Sequence, residues 1–181
     1  MSQGTTVRFT YDDYLLLPEE SRYEIIDGDL RMSPAPTARH QRIVREIVLI
    51  LAEFVRRHDL GEVMVSPFDV ILSETDVVQP DILFVTKDRA SIIREKGAFG
   101  APDLVIEILS PATANRDRTV KAKLYARAGV RELWLVDPDV KTVEVLSNGP
   151  AGFQQISIAH AGETASSQLL LGLQVAVDQV L

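Results

Sequence analysis

Glu107 stands inside Leu104-Val105-Ile106-Glu107-Ile108-Leu109, with an isoleucine on either side. That stretch is almost wholly apolar, the pattern of a strand covered on both faces. An ionised carboxylate without a partner there would cost on the order of several kcal/mol, or take up a proton. Such a residue is kept when something binds it, most often a cation or a basic side chain. The chemistry it suggests is that of a metal-binding acid. The plainer alternative is a structural ion pair with a helix Arg or Lys, or a strand end that is wet.

Asp81 is the second carboxylate. It follows Pro80 and opens Ile82-Leu83-Phe84-Val85, a place where Pro-Asp also serves simply as a turn. Pro102-Asp103 repeats the dipeptide. Asp103 shares a strand face with Glu107, but four residues of rise put them roughly 13 Å apart, too far to hold one ion. Asp81, on another strand, can approach Glu107 sideways if the two strands are neighbours.

The third element is a basic stretch from about Arg116 to Ala128. Asp117, Lys121 and Tyr125 recur at i, i+4 and i+8 and share one helix face. Between Asn115 and Arg131 stand Arg116, Arg118, Lys121, Lys123, Arg127 and Arg131, against Asp117 alone. The run is either a solvated helix face or a positive wall beside a phosphate-binding cleft. Lys123 is turned about 200° from Lys121 at 3.6 residues per turn. Lys121 therefore belongs on the core side with Leu124 and Ala128 at its edge, and Lys123 in solvent.

Other chemistries are missing. There is no cysteine, so disulfides, thiolate catalysis and cysteine-ligated metals are excluded. His40 and His58 lie on one expected helix, roughly 27 Å apart by helix rise, and His160 is elsewhere, so a zinc site is not expected. No Gly-x-Ser-x-Gly, phosphate-binding loop or Gly-x-Gly-x-x-Gly occurs.

The elements that must position these residues read as follows. Thr10 caps a short helix that stops near Pro18. Tyr23 to Ile26 and Leu30 to Ser33 flank Asp27-Gly28, a tight-hairpin signal. Thr37 caps a long helix to about His58, whose apolar face carries Ile43, Ile47, Ile50, Leu51 and Phe54, with Gly61 as its left-handed stop. Strands follow at Glu62 to Ser66, Asp69 to Leu72, Asp81 to Val85 and Leu104 to Leu109. After the basic helix and Gly129 come strands Glu132 to Val136 and Thr142 to Leu146. Gly152 to Leu181 reads as one or two strands and a weak terminal element, without evident chemistry. The fold class is α/β, a mixed sheet with the long and basic helices packed on it.

The 181 residues fit a single domain, and no linker or repeat divides them. With 46% hydrophobic and 25% charged residues the chain has the balance of a globular protein, not a disordered one. Met1 to Thr6 lacks a signal-peptide start and no apolar run approaches membrane-spanning length, so a cytoplasmic protein without a membrane partner is expected. A net charge of −7 argues against a general nucleic-acid coat but not against a local basic groove.

Gln79-Pro80-Asp81 and Asp103-Leu104-Val105-Ile106-Glu107-Ile108-Leu109-Ser110-Pro111 together resemble the PD-(D/E)XK nuclease superfamily, and more closely its Uma-type branch of bacterial endonucleases. Tyr23 to Gly28, Met32 to Pro36 with His40, and Leu124 to Pro138 extend the likeness over about Tyr23 to Leu146. The resemblance implies a restriction-endonuclease-like mixed sheet flanked by helices, and a DNA-hydrolysing enzyme. It also implies Mg²⁺, or Mn²⁺ in its place, on Asp81 and Glu107, with Glu24 assisting through a water. Glu24 read by itself could equally face solvent from a hairpin strand. The lysine expected two residues after Glu107 is Leu109, so Lys121 on the following helix is the candidate replacement. Arg116, Arg118, Lys123 and Arg127 are the expected DNA contacts; the oligomeric state is not readable from the sequence, although a homodimer is a common assembly of enzymes that cut both strands. The alternative is an inactive nuclease-fold module for nucleic-acid binding or regulation, which Leu109 and the acidic average favour. The buried Glu107 favours the enzyme.

Overall fold

The computed structural model describes residues 7–18 and 22–181; Met1 to Thr6, on which the expectation of no signal peptide rests, lie outside the described residues. Helix α1 (Tyr11–Tyr14) starts in a capping box, in which Thr10 and Asp13 each bind the other's backbone N–H. Strands β1 (Tyr23–Ile26) and β2 (Asp29–Met32) pair across Asp27 and Gly28, whose φ values are 52° and 81°. This is the left-handed pair that a tight hairpin turn requires, as the dipeptide indicated.

Helix α2 (Ala38–Arg57) is capped by Thr37 and buries Ile43, Ile47, Leu51 and Val55. Its end differs from expectation. Asp59 takes the left-handed conformation, with φ 51°, and Leu60 N–H closes back on Val55. Gly61 instead begins β3 (Gly61–Val65) in close approach to β6 (Ile82–Thr86): a Cβ at Gly61 would lie 2.0 Å from the Val85 carbonyl oxygen.

Between and after these come β4 (Val70–Ser73), β5 (Asp76–Val78), β7 (Ile93–Arg94), β8 (Gly97–Phe99) and β9 (Leu104–Ile108). The basic stretch is helical throughout as α3 (Ala114–Arg116), a π-helical segment (Asp117–Lys121) and α4 (Ala122–Ala128), stopped by Gly129 at φ 95°. Strands β10 (Glu132–Asp137), β11 (Thr142–Gly149), β12 (Gly152–His160), β13 (Thr164–Ser166) and β14 (Gln174–Ala176) precede α5 (Val177–Val180). None of the described helices is long and apolar enough to cross a membrane.

Two six-stranded sheets result, ordered β2-β1-β5-β4-β8-β7 and β12-β11-β10-β9-β6-β3, with β13 and β14 forming a small pair. In the second sheet β9 lies parallel to β10 and antiparallel to β6, with Ile82 opposite Ile106. Side chains alternate across this sheet. Ile82, Phe84, Leu104, Ile106 and Ile108 join the α2 side chains in one core. Leu83, Val85, Val105 and Leu109 form the other core with Leu124 and Tyr125 of α4. Glu107, in step with Val105 and Leu109, is thereby turned toward the basic helix.

The Gly61 contact is with backbone, which cannot swing aside. Gly61→Ala should therefore destabilise the protein more than Gly129→Ala, where a Cβ meets open space and only the backbone conformation is strained, by about 1 kcal/mol. Urea unfolding of the two variants measures the difference.

Candidate active site

Glu107 is 3% exposed on the central strand β9. Its Oε1 lies 2.7 Å from Lys121 Nζ and accepts the Tyr125 hydroxyl at 2.6 Å. The helix face shared by Asp117, Lys121 and Tyr125 is thus the face on the sheet, and Lys123 is exposed. Lys121 Nζ also donates to Glu24 Oε1 at 3.0 Å and sits 3.9 Å from Asp117 Oδ1. Glu24 is not a solvent-facing hairpin residue: it is 1% exposed. Its Oε1 accepts Gln79 N–H at 3.1 Å, and its Oε2 lies 3.1 Å from Arg116 Nη2.

Asp81 directly precedes β6, one step before the Ile82–Ile106 pairing, which brings it beside Glu107 as strand adjacency requires. Its Oδ2 accepts the Ile108 N–H at 2.8 Å and faces His40 Nε2 at 3.1 Å. A carboxylate oxygen only accepts, so the imidazole proton belongs on Nε2. With Oδ2 so occupied, Asp81 presents Oδ1, and Glu107 presents Oε2; neither takes a hydrogen bond from the described residues. Glu24, Asp81, Glu107, Lys121, Arg116 and His40 line one cleft of about 340 Å³.

Leu109 is packed in the core beside the basic helix, 3% exposed. Lys121, by contrast, brings its Nζ to Glu107 from the helix. Asp103 serves a different purpose. It accepts Thr86 N–H at 2.9 Å and Arg89 Nη1 at 2.8 Å, and lies 3.4 Å from Arg131 Nη1, so it belongs to a structural cluster.

The other expected DNA contacts do not gather into one positive wall. Arg118 reaches Glu144 at 2.5 Å and Asp137 at 3.1 Å. Arg127 reaches Asp27 at 2.6 Å and Asp76 at 2.9 Å, on the hairpin side. Of the four, Arg116 lines the cleft and Lys123 projects into solvent. His40 and Tyr125 are site residues that the sequence reading left without a role. Tyr125 carried a signal, its shared face with Lys121; His40 carried only its place in the family resemblance, and its contact with Asp81 emerged when the fold brought α2 there.

The charges are strongly coupled. Burial pushes the Glu107 carboxyl up to about 8, against the pull of the Lys121 ammonium. Burial also works against Glu24, yet Lys121 and Arg116 hold it below the usual carboxylate range. Lys121 resists burial because Glu107 and Glu24 keep it protonated well above its ordinary value. A protonated Glu107 can still accept both bonds at Oε1 while carrying its proton on Oε2, the oxygen presented to the cleft.

Among the described residues no three His, Cys, Asp or Glu side chains form a closed metal cage. Two adjacent carboxylates suit instead a hard divalent ion that keeps part of its water shell, such as Mg²⁺. The four cleft carboxylates Glu24, Asp81, Glu107 and Asp117, set against Arg22, Arg116 and Lys121, leave one negative charge when all are ionised. The donor set is compatible with such an ion, for which Asp81 Oδ1 and Glu107 Oε2 would be the protein ligands.

Residues 11–178 match the Uma2 family, described as "Putative restriction endonuclease". The chain belongs to the Uma2 family. A crystal structure from Anabaena variabilis, named as "a putative nuclease belonging to DUF820", superposes with a TM-score of 0.80 at 23% identity, over 95% of this chain and 97% of that one. It shares the fold. A comparison with curated proteins gives no match.

The raised Glu107 value makes stability depend on pH in this Uma2 protein. The unfolded chain releases that proton near 4.5 and the folded one near 8, so rising pH favours unfolding across that interval. The lowered Glu24 and Asp103 act only below their ordinary ranges. Melting temperature in EDTA should fall from pH 5 to pH 8 in the parent and fall less in Glu107→Gln.

Proposed function

We propose that this Uma2 protein is a Mg²⁺-dependent nuclease that hydrolyses phosphodiester bonds of DNA, with Mn²⁺ able to replace Mg²⁺. The observation that carries the proposal is the juxtaposition of Asp81, at the entry to β6, and Glu107 on the neighbouring β9, with the Lys121 ammonium 2.7 Å from Glu107. Family membership and the fold shared with a protein named "a putative nuclease" support the same reading.

Asp81 and Glu107 would hold the ion. When bound, Mg²⁺ supplies Lewis acidity and a water acidified enough to attack at neutral pH. The chain's own residues do the rest. Ile108 N–H and His40 fix Asp81, and Tyr125 fixes Glu107, so both ligand oxygens are aimed before substrate arrives. Such preorganisation avoids reorganisation cost during reaction. Lys121, held protonated, places a positive charge where negative charge grows on the phosphate oxygens. Glu24 holds Lys121 and Arg116 in place from the opposite side.

The test is cleavage of linear and supercoiled DNA with Mg²⁺, Mn²⁺ or EDTA, together with calorimetric Mn²⁺ titration. Asp81→Ala and Glu107→Ala should each lose Mn²⁺ binding and cleavage. Asp103→Ala should keep Mn²⁺ binding and lose stability, since it strips the partner from Arg89 and Arg131. Inertness of the parent on every substrate and ion would favour the inactive nucleic-acid-binding module.

Lys121→Met should abolish cleavage while Mn²⁺ still binds, which also shows that the variant is folded. Lys123→Met should cleave as the parent does, with weaker DNA affinity at low salt. Full activity of Lys121→Met would remove the lysine from the mechanism.

A further inference from the structure

Arg22 stands two residues before Glu24, in step with it along the chain, and lines the same cleft. Its guanidinium is fixed by neutral acceptors: Nε donates to Gln79 Oε1 at 3.1 Å and Nη2 donates to Ser66 Oγ. Gln79 cannot turn its amide away. Its Nε2 is spent on Asp69 Oδ1 at 2.8 Å and Tyr14 OH at 3.2 Å, which leaves the amide oxygen facing Arg22.

The other charged bases of the cleft are committed. Lys121 is matched by Glu24 and Glu107, and Arg116 by Glu24. Among the described residues no carboxylate pairs with Arg22, and its Nη1 has no acceptor. A part-buried guanidinium held in one orientation by neutral groups keeps its charge and a free N–H for an incoming anion. Helix α2 begins on the same cleft. Thr37 and His40 line it, and the first turn of that 20-residue helix holds no acidic residue, so its positive end adds to the same field.

We propose that Arg22 is a phosphate-binding residue, taking a non-bridging oxygen of a backbone phosphate in the nucleic-acid strand that enters this cleft. The inference rests on the nuclease reading for the source of the phosphate. Arg22 needs no ligand oxygen of the metal site, so it can be tested apart from cleavage. A purely structural role, tying the start of β1 to Ser66 and Gln79, is the competing explanation.

The experiment is binding of a short fluorescent DNA duplex in EDTA, followed by anisotropy across a salt series, for the parent, Arg22→Gln and Arg22→Lys. Arg22→Gln keeps an amide donor but loses the charge. It should bind roughly ten-fold more weakly at low salt, with a log–log salt slope shallower by about 0.9, the share of one phosphate contact. Arg22→Lys should restore the slope but only part of the affinity. Melting temperature and Mn²⁺ affinity should be unchanged in both. Parent-like affinity and slope in Arg22→Gln would overturn the proposal, as would weakened binding with a lowered melting temperature and an unaltered slope. Arg22-dependent DNA binding by a parent that never cleaves would uphold the phosphate site and defeat the nuclease reading. A parent that binds no DNA would be titrated with inorganic phosphate: binding lost in Arg22→Gln upholds an anion site, and no binding overturns it.

Discussion

An ammonium group buried to 4% exposure must be matched, because an uncompensated charge at that depth would cost several kcal/mol, on the order of its desolvation. Lys121 meets that demand with Glu107 from the central sheet, Glu24 from the hairpin strand β1 and Asp117 from its own helix. One side chain therefore ties together both sheets and the basic helix. Asp117 and Lys121, at the two ends of the π-helical segment, are both buried. Removing the lysine leaves Glu107 without a countercharge; removing the carboxylates leaves a buried cation. Cation and carboxylates must stay together.

Another buried carboxylate of the same protein shows what a purely structural one looks like. Glu132, 2% exposed, accepts Trp134 Nε1 at 2.8 Å and Ser167 Oγ at 2.6 Å on one oxygen. The other oxygen accepts the N–H groups of Gln168 and Leu169 at 2.8 and 2.9 Å. Every acceptor is used, and the group does nothing further. Asp103 is similarly enclosed by Thr86, Arg89 and Arg131. Glu107 and Asp81 differ in one respect: each has one oxygen saturated and one presented to the cleft. That half-satisfied state leaves a lone pair that an ion could use, whereas a fully bonded carboxylate has none left.

Much of this was legible in the sequence where the signal was local. Asp27-Gly28 specified its turn through φ > 0, Thr37 and the apolar period specified α2, and an acid among branched residues marked Glu107. Four-residue spacing distinguished Lys121 from Lys123. What could not be read was long-range. Asp81 and Glu107 become neighbours only because β6 pairs with β9, and no local pattern states that pairing. The short strands β5, β7 and β8 gain their identity from partners, not propensity. Arg118 and Arg127 belonged to a run of like charge in the sequence, yet their carboxylates lie on β10, β11 and β5 and in the β1–β2 turn. Gly61 looked like a helix stop because a glycine after a helix usually is one; the close approach of Val85 was invisible.

Paired burial of cation and carboxylate also accounts for the combination of an acidic chain and a basic helix. The helix supplies countercharges inward and leaves few free cations at the surface, so the net charge of −7 says little about the cleft itself. The central claim is that the two presented oxygens, Asp81 Oδ1 and Glu107 Oε2, are the ligands of one divalent ion. Anomalous diffraction at the manganese edge from Mn²⁺-soaked crystals tests it most directly. A single strong peak between those two oxygens, with Lys121 still at Glu107 and Glu24, is the predicted result. A peak at any other carboxylate, or none at saturating Mn²⁺, would contradict it.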